Sequence, residues 1–372
     1  MCSANRLRRQ PAKLQRRAAR WAIAAAAGLL WLPAMACSTA AGPADPNGDP
    51  NGDPNGGPPG GPAPWSPSAI QIPFTETALR TGALGGKTIH CAGPLHVAKE
   101  YEDYVDAFSG RPPAMWVHYY SLIDSRFTPA EKLGELDGWL AEYGGIPFLG
   151  ISYTQSNLDG SNTGWDPEVA AGDFDDELRD IARALAADGR PYFVRPGFEF
   201  NGVWNNYQPT TYRDAFVRIR TLFLEEGATN AIWVWNSHPA GNVAPYMDFY
   251  PGDEQVDWWG INLFGAAFDS GSQLAFTASF LADAAARGKP VMLPETIPHK
   301  FHLLDDPTTW DAWFVPYFDL IQTEGVGAFC YSNRDYTKVP AWSDWGDLRI
   351  DQSPLKDEWE GVLGQNWVVN GN

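Results

Sequence analysis

The stretch Pro191-Tyr-Phe-Val-Arg-Pro-Gly-Phe-Glu-Phe-Asn-Gly-Val-Trp204 changes character halfway along its length. Its first part is a run of β-forming residues without a helical period, which predicts a buried strand. Its second part carries Arg195, Glu199, Asn201 and Trp204, which are side chains suited to a polar ligand. An apolar strand that ends in polar residues is typical of the active face of an α/β barrel.

A second stretch with the same design is Lys289-Pro-Val-Met-Leu-Pro-Glu-Thr-Ile-Pro298. It is again an apolar strand segment that ends in a carboxylate, Glu295. The two stretches lead to the interpretation that Glu199 and Glu295 face each other across a bound sugar.

Strand segments alternate with helical segments from residue 65 onward. Six strand segments are predicted at residues 87–91, 114–123, 146–153, 230–236, 256–264 and 326–331, and two more within the stretches 191–204 and 289–298 described above. The helices between and after them are predicted at residues 97–109, 129–143, 173–188, 210–226, 273–287, 307–323 and 355–363. A long polar loop is expected at residues 154–172. This alternation predicts an α/β fold with a parallel sheet closed into a (β/α)₈ TIM barrel.

An open doubly wound sheet is the alternative to the barrel. It is disfavoured because no glycine-rich phosphate-binding loop follows the first strand. In the barrel, Glu199 would end the fourth strand and Glu295 the seventh.

The amino-terminal part of the chain predicts export. Residues 1–36 have a basic start, an apolar run and small residues before Cys37, which is the order of a signal peptide. Cys37 stands where a lipoprotein signal places its lipidated cysteine. Cleavage at the same bond without lipidation is the alternative, and a membrane anchor helix is disfavoured because the apolar run is shorter than the roughly 20 residues that span a bilayer. The protein is therefore expected to be exported, as an envelope lipoprotein or a secreted protein.

The next segment, residues 37–64, is a repeat of Pro, Gly, Asn and Asp. It has too few apolar residues to offset the entropy of ordering, so a disordered tether is expected. The catalytic domain is then expected at residues 65–368. On this interpretation the protein meets a membrane only through a lipid at Cys37.

The composition narrows the class of ligand. The net charge is −18 and the chain contains 17 Trp. An acidic surface disfavours nucleic acid, whereas an exported protein rich in Trp suits neutral ligands held by stacking, such as carbohydrate. Many of these Trp side chains will also fill the core.

Two cysteines lie outside the leader, Cys91 near the first strand and Cys330 in the last. These strands are neighbours in a closed barrel, so a disulfide is possible. Two buried free thiols are an equal alternative. No Cys/His cluster has zinc spacing, and neither a metal nor a cofactor is expected.

Hydrolysis of a glycosidic bond needs one carboxyl group that protonates the leaving oxygen and a second that attacks the sugar or activates water. We predict Glu199 as the acid/base and Glu295 as the nucleophile of a retaining enzyme, whose carboxyl groups lie about 5–5.5 Å apart. Arg195 would keep one carboxylate ionised. Asn201, Trp204 and Tyr207 would bind hydroxyl groups and stack on a sugar ring.

The motif Arg-Pro-Gly-Phe-Glu-Phe-Asn-Gly at residues 195–202 resembles the fourth-strand motif of glycoside hydrolase family 26, the β-mannanase family of clan A. The segments at residues 233–236, 250–262 and 289–295 resemble that family's fifth, sixth and seventh strands, in the same order. The resemblance covers most of residues 65–367. It implies a TIM barrel, a polysaccharide substrate and two catalytic glutamates at Glu199 and Glu295.

Two positions depart from the family pattern. Phe198 stands where the family has a His that orients the catalytic groups, and Phe264 stands near a Tyr that the family offers to the nucleophile. Both glutamates are present, so hydrolysis is still expected, on mannan or on another β-glucan or β-xylan. The alternative from another class is a catalytically inactive, carbohydrate-binding lipoprotein on the same barrel.

Further candidates for substrate contact come from the ends of other strands and from the polar loop. They are His118, Asn236, His238 and Trp165. His118 could equally be a structural histidine, and Trp165 could serve only to fix the loop. Tyr119 is interpreted as a core or wall residue. A monomer is expected.

Overall fold

The computed structural model describes residues 72–93, 98–123, 128–157, 161–268, 271–301 and 303–371. The predicted signal peptide at residues 1–36, the lipidation site Cys37, the tether at residues 37–64 and the first residues of the predicted catalytic domain lie outside the described residues.

Within the described residues, eight parallel strands form the wall of a barrel. They are β1 (Thr88–Ala92), β2 (Met115–Ser121), β3 (Ile146–Ser152), β4 (Tyr192–Pro196), β5 (Ala231–Ser237), β6 (Trp258–Ile261), β7 (Val291–Ile297) and β8 (Ala328–Tyr331). Each strand pairs with the next along the chain, and β8 pairs with both β7 and β1. The sheet is therefore closed. The predicted (β/α)₈ barrel is confirmed, and the alternative of an open sheet is wrong.

The helices lie outside this wall. They are α1 (Glu76–Thr81), α2 (Ala98–Ala107), α3 (Pro129–Tyr143), α4 (Asp166–Ala171), α5 (Asp175–Asp188), α6 (Pro209–Glu225), α7 (Gly271–Ala286), α8 (Val315–Glu324) and α9 (Lys356–Leu363). Helix α3 begins as its sequence predicts. The Thr128 side chain accepts from the amide of Glu131, the Glu131 side chain accepts from the amide of Thr128, and Pro129 occupies the first turn.

Two segments differ from the sequence prediction. The expected loop at residues 154–172 contains a two-stranded hairpin, Thr154–Ser156 with Asn162–Gly164, followed by α4. The helix expected at residues 307–323 begins with one π-helical segment, Trp310–Phe314, before α8. Short pieces such as the hairpin carry too few residues for a periodic signal.

Side chains alternate between two cores along each strand. One core fills the barrel and the other lies between strands and helices. The barrel interior contains Ile89, Cys91, Met115, Val117, Ile146, Phe148, Phe193, Ile232, Val234, Trp258, Met292, Ala328 and Cys330. Helix α1 closes the amino-terminal end of the barrel, where the Trp258 indole donates to the carbonyl of Leu79 at 2.7 Å.

A disulfide joins Cys91 to Cys330. The two residues are register partners on β1 and β8, and both are completely buried. The bond therefore cross-links the first and last strands where the barrel closes. It resolves the choice between a disulfide and free thiols, and it suits an oxidising compartment.

No helix in the described part of the chain combines the length and the apolar character needed to cross a bilayer.

The disulfide closes a loop with a sequence separation of 239 residues. Because such a cross-link restricts the unfolded chain, we expect the double variant C91A/C330A to lose about 2–5 kcal/mol in the free energy of unfolding. Denaturant titration with and without a reductant measures this loss. A reductant should destabilise the natural protein and leave the variant unchanged, and equal curves for the natural protein would contradict the prediction.

Candidate active site

Glu199 lies in the loop that follows β4, in an unusual backbone conformation. Its φ is 52°, in the left-handed region, and Gly197 just before it has φ 56°. A side chain at Gly197 would meet the Tyr153 hydroxyl at 2.1 Å, so only glycine fits there. For a residue with a Cβ such backbone strain costs on the order of 1–3 kcal/mol and is frequent at functional sites.

The side chain of Asn205 holds this loop in place. Its amide donates to the carbonyls of Phe198 and Glu199 at 2.9 Å each. The Thr154 hydroxyl lies 2.9 Å from Asn205 Oδ1. The hairpin after β3 thus supports the segment that presents Glu199.

Neutral donors surround the Glu199 carboxyl group. Asn262 Nδ2 donates to Oε1 at 2.8 Å, and Trp204 Nε1 donates to Oε2 at 2.7 Å. His238 Nε2 lies 3.9 Å from Oε1. The Glu199 side chain is 12% exposed, so it can still be reached from the barrel mouth.

Glu295 lies inside β7, near the carboxyl end of that strand. The Tyr119 hydroxyl donates to its Oε2 at 2.7 Å, and Arg195 Nη2 lies 3.8 Å from the same oxygen. The Glu295 side chain is 13% exposed, much like Glu199. A cation and a hydroxyl group therefore hold this second carboxylate.

Arg195 is completely buried beneath the two glutamates. Its Nη2 donates to the Tyr119 hydroxyl at 2.5 Å, and its Nη1 donates to Asn236 Oδ1 at 2.8 Å. Asn236 Nδ2 in turn donates to Asn262 Oδ1 at 3.1 Å. These bonds form an unbroken path between the carboxyl groups, from Glu295 through Tyr119, Arg195, Asn236 and Asn262 to Glu199.

Burial raises the pKa of both carboxyl groups. Burial raises the pKa of Glu295 to about 7, and the charge of Glu199 adds to this rise, while Arg195 and the Tyr119 hydrogen bond oppose it. Burial also raises the pKa of Glu199, against the effect of its Asn262 and Trp204 hydrogen bonds. Two interacting acids of this kind titrate as a pair.

Asn201 and Asn236 are both completely buried, so they support the site from below. Asn201 Oδ1 accepts from the Ser237 hydroxyl and the His238 amide at 3.0 Å each, and its Nδ2 donates to the His238 carbonyl at 2.7 Å. These contacts join the loop after β4 to the end of β5. They favour a positioning role for both asparagines over the predicted contact with substrate.

His118 does not line the barrel mouth. It is buried on β2 between Trp116 and Tyr120, which belong to the core between strands and helices. Because side chains alternate along a strand, His118 shares their side, whereas Tyr119 faces the interior. Tyr119, and not His118, is therefore the residue of this strand that reaches the site, where it donates to Glu295.

The three aromatic residues predicted to contact a sugar lie in three different environments. Trp204 is partly buried and donates to Glu199. Trp165 donates to Gln155 Oε1 at 3.2 Å and packs edge-on against Phe174, which are contacts that fix the loop. Tyr207 is buried in the core, so the prediction that it stacks on a sugar is wrong.

Sequence reasoning missed Tyr119 and Asn262, two of the residues that donate hydrogen bonds to the carboxyl groups. Asn262 had a signal, because it is a polar residue that follows the apolar strand β6 as Glu199 follows β4. Tyr119 had none, since a tyrosine inside a strand is as well suited to a core.

The two departures from the family pattern lie at the site. The Phe198 ring packs at 4.8 Å against Tyr119 and at 4.8 Å from the Arg195 guanidinium. Phe264 packs against His238 at 5.1 Å and Trp345 at 5.8 Å. Phe264 has no hydroxyl to offer to Glu295, and Tyr119 supplies that hydrogen bond from β2 instead.

No cluster of three or more His, Cys, Asp or Glu side chains suited to a metal ion occurs in the described ranges.

Comparison with known proteins identifies glycoside hydrolases. No family model matches the sequence. The chain is 25% identical over 322 residues to the β-1,3-xylanase TXYA of a Vibrio species, which covers 77% of this chain and 68% of that protein. It is 25% identical over 232 residues to a β-1,3-xylanase of an Alcaligenes species, covering 54% of this chain and 49% of the relative, so it spans about half of that protein.

The fold matches a solved family 26 β-mannanase of Bacteroides ovatus with a TM-score of 0.58. That match has 15% sequence identity and covers 80% of this chain and 95% of the other. The chain therefore has the barrel fold of family 26 mannanases, and the fold implied by the resemblance of its motifs is confirmed.

Removing the Tyr119 hydroxyl tests the electrostatics of the pair. The hydrogen bond from Tyr119 lowers the pKa of Glu295, so the variant Y119F should titrate Glu295 above its value of about 7. Carbon-13 NMR titration of the glutamate carboxyl groups measures this shift, with E295Q to assign the signal.

The same shift has a consequence for stability. The pKa of Glu295 in the folded protein is about 7, which is higher than the ordinary 4.5. Because the buried group resists ionisation, the free energy of unfolding decreases progressively as pH rises from about 4.5 to 7. In Y119F this loss should continue above pH 7. An unchanged or lower pKa of Glu295 in Y119F would contradict the assignment.

Proposed function

We propose that the protein is a retaining glycoside hydrolase that cleaves β-linked polysaccharide, with Glu295 as the nucleophile and Glu199 as the acid/base. The observation that carries the proposal is that two buried carboxyl groups, on β7 and after β4, are joined by one path of hydrogen bonds at the barrel mouth. Two such carboxyl groups are the machinery that glycoside hydrolysis needs.

The contacts of Glu295 suit a nucleophile. Arg195 and the Tyr119 hydroxyl both favour its ionised form, and both touch Oε2. Oε1 is then the oxygen that attacks the anomeric carbon. The bond from that carbon to the leaving oxygen breaks, its electron pair goes to the leaving oxygen, and a covalent glycosyl-enzyme forms.

The contacts of Glu199 suit an acid that becomes a base. Its hydrogen-bond donors Asn262 and Trp204 are neutral, and burial raises its pKa, so it can hold a proton. In the first step this proton goes to the leaving oxygen. Once Glu295 is esterified its negative charge is gone, so the pKa of Glu199 falls. Glu199 can then take a proton from water, whose oxygen attacks the anomeric carbon and releases Glu295.

β-Xylan is the substrate class that we favour over β-1,4-mannan. Both relatives described above are named as β-1,3-xylanases and are more similar in sequence than the mannanase structure. Phe198 also brings an apolar ring beside Arg195, where the family pattern has a histidine. A phenylalanine cannot donate a hydrogen bond to a sugar hydroxyl, so recognition at this point must differ.

We favour hydrolysis over the alternative of an inactive sugar-binding lipoprotein, because both carboxyl groups keep hydrogen-bonding partners suited to their roles. We also propose export of the protein, which the Cys91–Cys330 disulfide supports. Lipidation at Cys37 and a monomeric state remain part of this proposal.

Removing either carboxyl group tests the mechanism. We expect E295Q and E199Q each to lower kcat on polysaccharide by about 10²–10⁴-fold or more, because each removes a group that acts in the transition state. On an aryl glycoside, whose leaving group needs no proton, E199Q should still form the covalent intermediate, and mass spectrometry should detect it. E295Q should form none.

The control is E324Q, which changes an exposed carboxylate at the end of α8. It should keep full activity. Full activity in E199Q or E295Q would show that the mechanism is wrong. Proton NMR of the first product should show the β-anomer, and an α-anomer would exclude retention of configuration while leaving a hydrolase in place.

A polysaccharide screen tests the substrate class. We expect new reducing ends from β-1,3-xylan, and fewer or none from β-1,4-mannan, β-1,4-xylan and mixed-linkage glucan. Mannan as the best substrate would overturn the preference for xylan. Binding of a glycan without any new reducing ends would favour the inactive alternative.

A further inference from the structure

His238 lies directly after β5 and beside Glu199. Its side chain is 8% exposed, and its Nε2 is 3.9 Å from Glu199 Oε1. Asn201 holds its backbone from both sides, by accepting from the His238 amide and donating to the His238 carbonyl. The position of the imidazole is therefore fixed by the same residue that joins the Glu199 loop to β5.

The hydrogen-bonding pattern fixes which ring nitrogen carries the hydrogen. The Ala240 amide lies 3.0 Å from Nδ1 and donates to it. The Ala240 carbonyl lies farther from Nδ1, at 3.3 Å. Because the amide contact is the shorter one and an amide can only donate, we assign Nδ1 as the acceptor and Nε2 as the nitrogen that carries the hydrogen. The N–H of the neutral ring thus faces the carboxyl group of Glu199.

Two aromatic neighbours pack against the His238 ring. Trp204 packs edge-on against it at 4.8 Å, and Phe264 does so at 5.1 Å. Trp204 is also a hydrogen-bond donor to Glu199. The imidazole therefore lies beside the Glu199 carboxyl group, which accepts hydrogen bonds from Trp204 and Asn262.

Burial, rather than a neighbouring charge, favours the neutral form of His238. Burial lowers its pKa to about 4. The carboxyl group of Glu199 lies next to the His238 ring. His299 interacts electrostatically with His238 from beyond Phe264. Arg195 acts on the charge of Glu199. Near neutral pH, His238 offers an N–H without a positive charge. A cation at this point would oppose protonation of Glu199 and so weaken an acid catalyst.

We propose that His238 is a positioning residue for Glu199, whose Nε2–H, together with Trp204 and Asn262, sets the orientation of the acid/base carboxyl group. Phe198, the residue before Glu199, brings no polar atom, so this donor comes from β5. The distance of 3.9 Å is longer than a hydrogen bond, and catalytic hydrogen bonds of a free enzyme commonly shorten in the substrate complex. The inference rests on the proposed function.

The test compares H238F and H238Q with the natural protein in the pH dependence of kcat/KM. The alkaline limb reports loss of the proton that the acid/base pair must hold. H238F removes a donor that favours the carboxylate form of Glu199. The alkaline limb should therefore shift to higher pH by about half to one pH unit. H238Q can place an amide N–H near the Nε2 position, and its limb should stay close to that of the natural protein.

The matched control is H299Q, the same exchange at the neighbouring histidine, which should leave the alkaline limb in place. An unmoved limb in H238F, or the same movement in H238Q and H299Q, would overturn the inference. A merely structural role would lower kcat without moving the limb. Thermal unfolding of each variant checks that it is folded.

A second readout separates this inference from the proposed function. If the natural protein hydrolyses none of the glycans, the proposed function fails, but carbon-13 NMR can still titrate Glu199 without substrate. The pKa of Glu199 should be higher in H238F than in the natural protein and in H238Q. An equal value in all three would exclude His238 as a partner of Glu199.

Discussion

The structure of this site depends on keeping two carboxyl groups of like charge buried at one barrel mouth. Water stabilises them little there, so burial raises the pKa of both, and the charge of Glu199 raises the pKa of Glu295 further. The barrel compensates unequally: Glu295 receives the cation Arg195 and a tyrosine hydroxyl, whereas Glu199 receives neutral donors. This inequality gives two chemically identical side chains different electrostatic environments.

Arg195 connects this chemistry to the fold. Its guanidinium is completely buried and lies over the rings of Tyr119, Phe148 and Phe198 at about 5 Å. A buried charge of this kind is tolerated only where partners and hydrogen bonds surround it. The asparagines that pair with it and with Glu199 are themselves buried, so the whole polar network is held by strands of the barrel. The loop that presents Glu199 is strained but fixed on several sides.

The aromatic residues divide between two tasks. Trp258 and Phe193 fill the barrel and Tyr207 the surrounding core, where they stabilise the fold. Trp204, His238 and Phe264 form a continuous wall beside Glu199. Composition could not separate these tasks, because the same residue types serve both.

The sequence by itself determined the barrel, the order of its strands and the placement of Glu199 and Glu295 at the ends of the fourth and seventh. Those features follow from local periodicity, strand length and motif order, which nearby residues encode. Only the tertiary structure decided that Tyr119 rather than His118 faces the mouth, that Asn201 and Asn236 lie beneath it, and that Cys91 bonds to Cys330. These outcomes depend on side-chain direction and on contacts between strands far apart in the chain, and a one-residue change of direction moves a side chain to the opposite face.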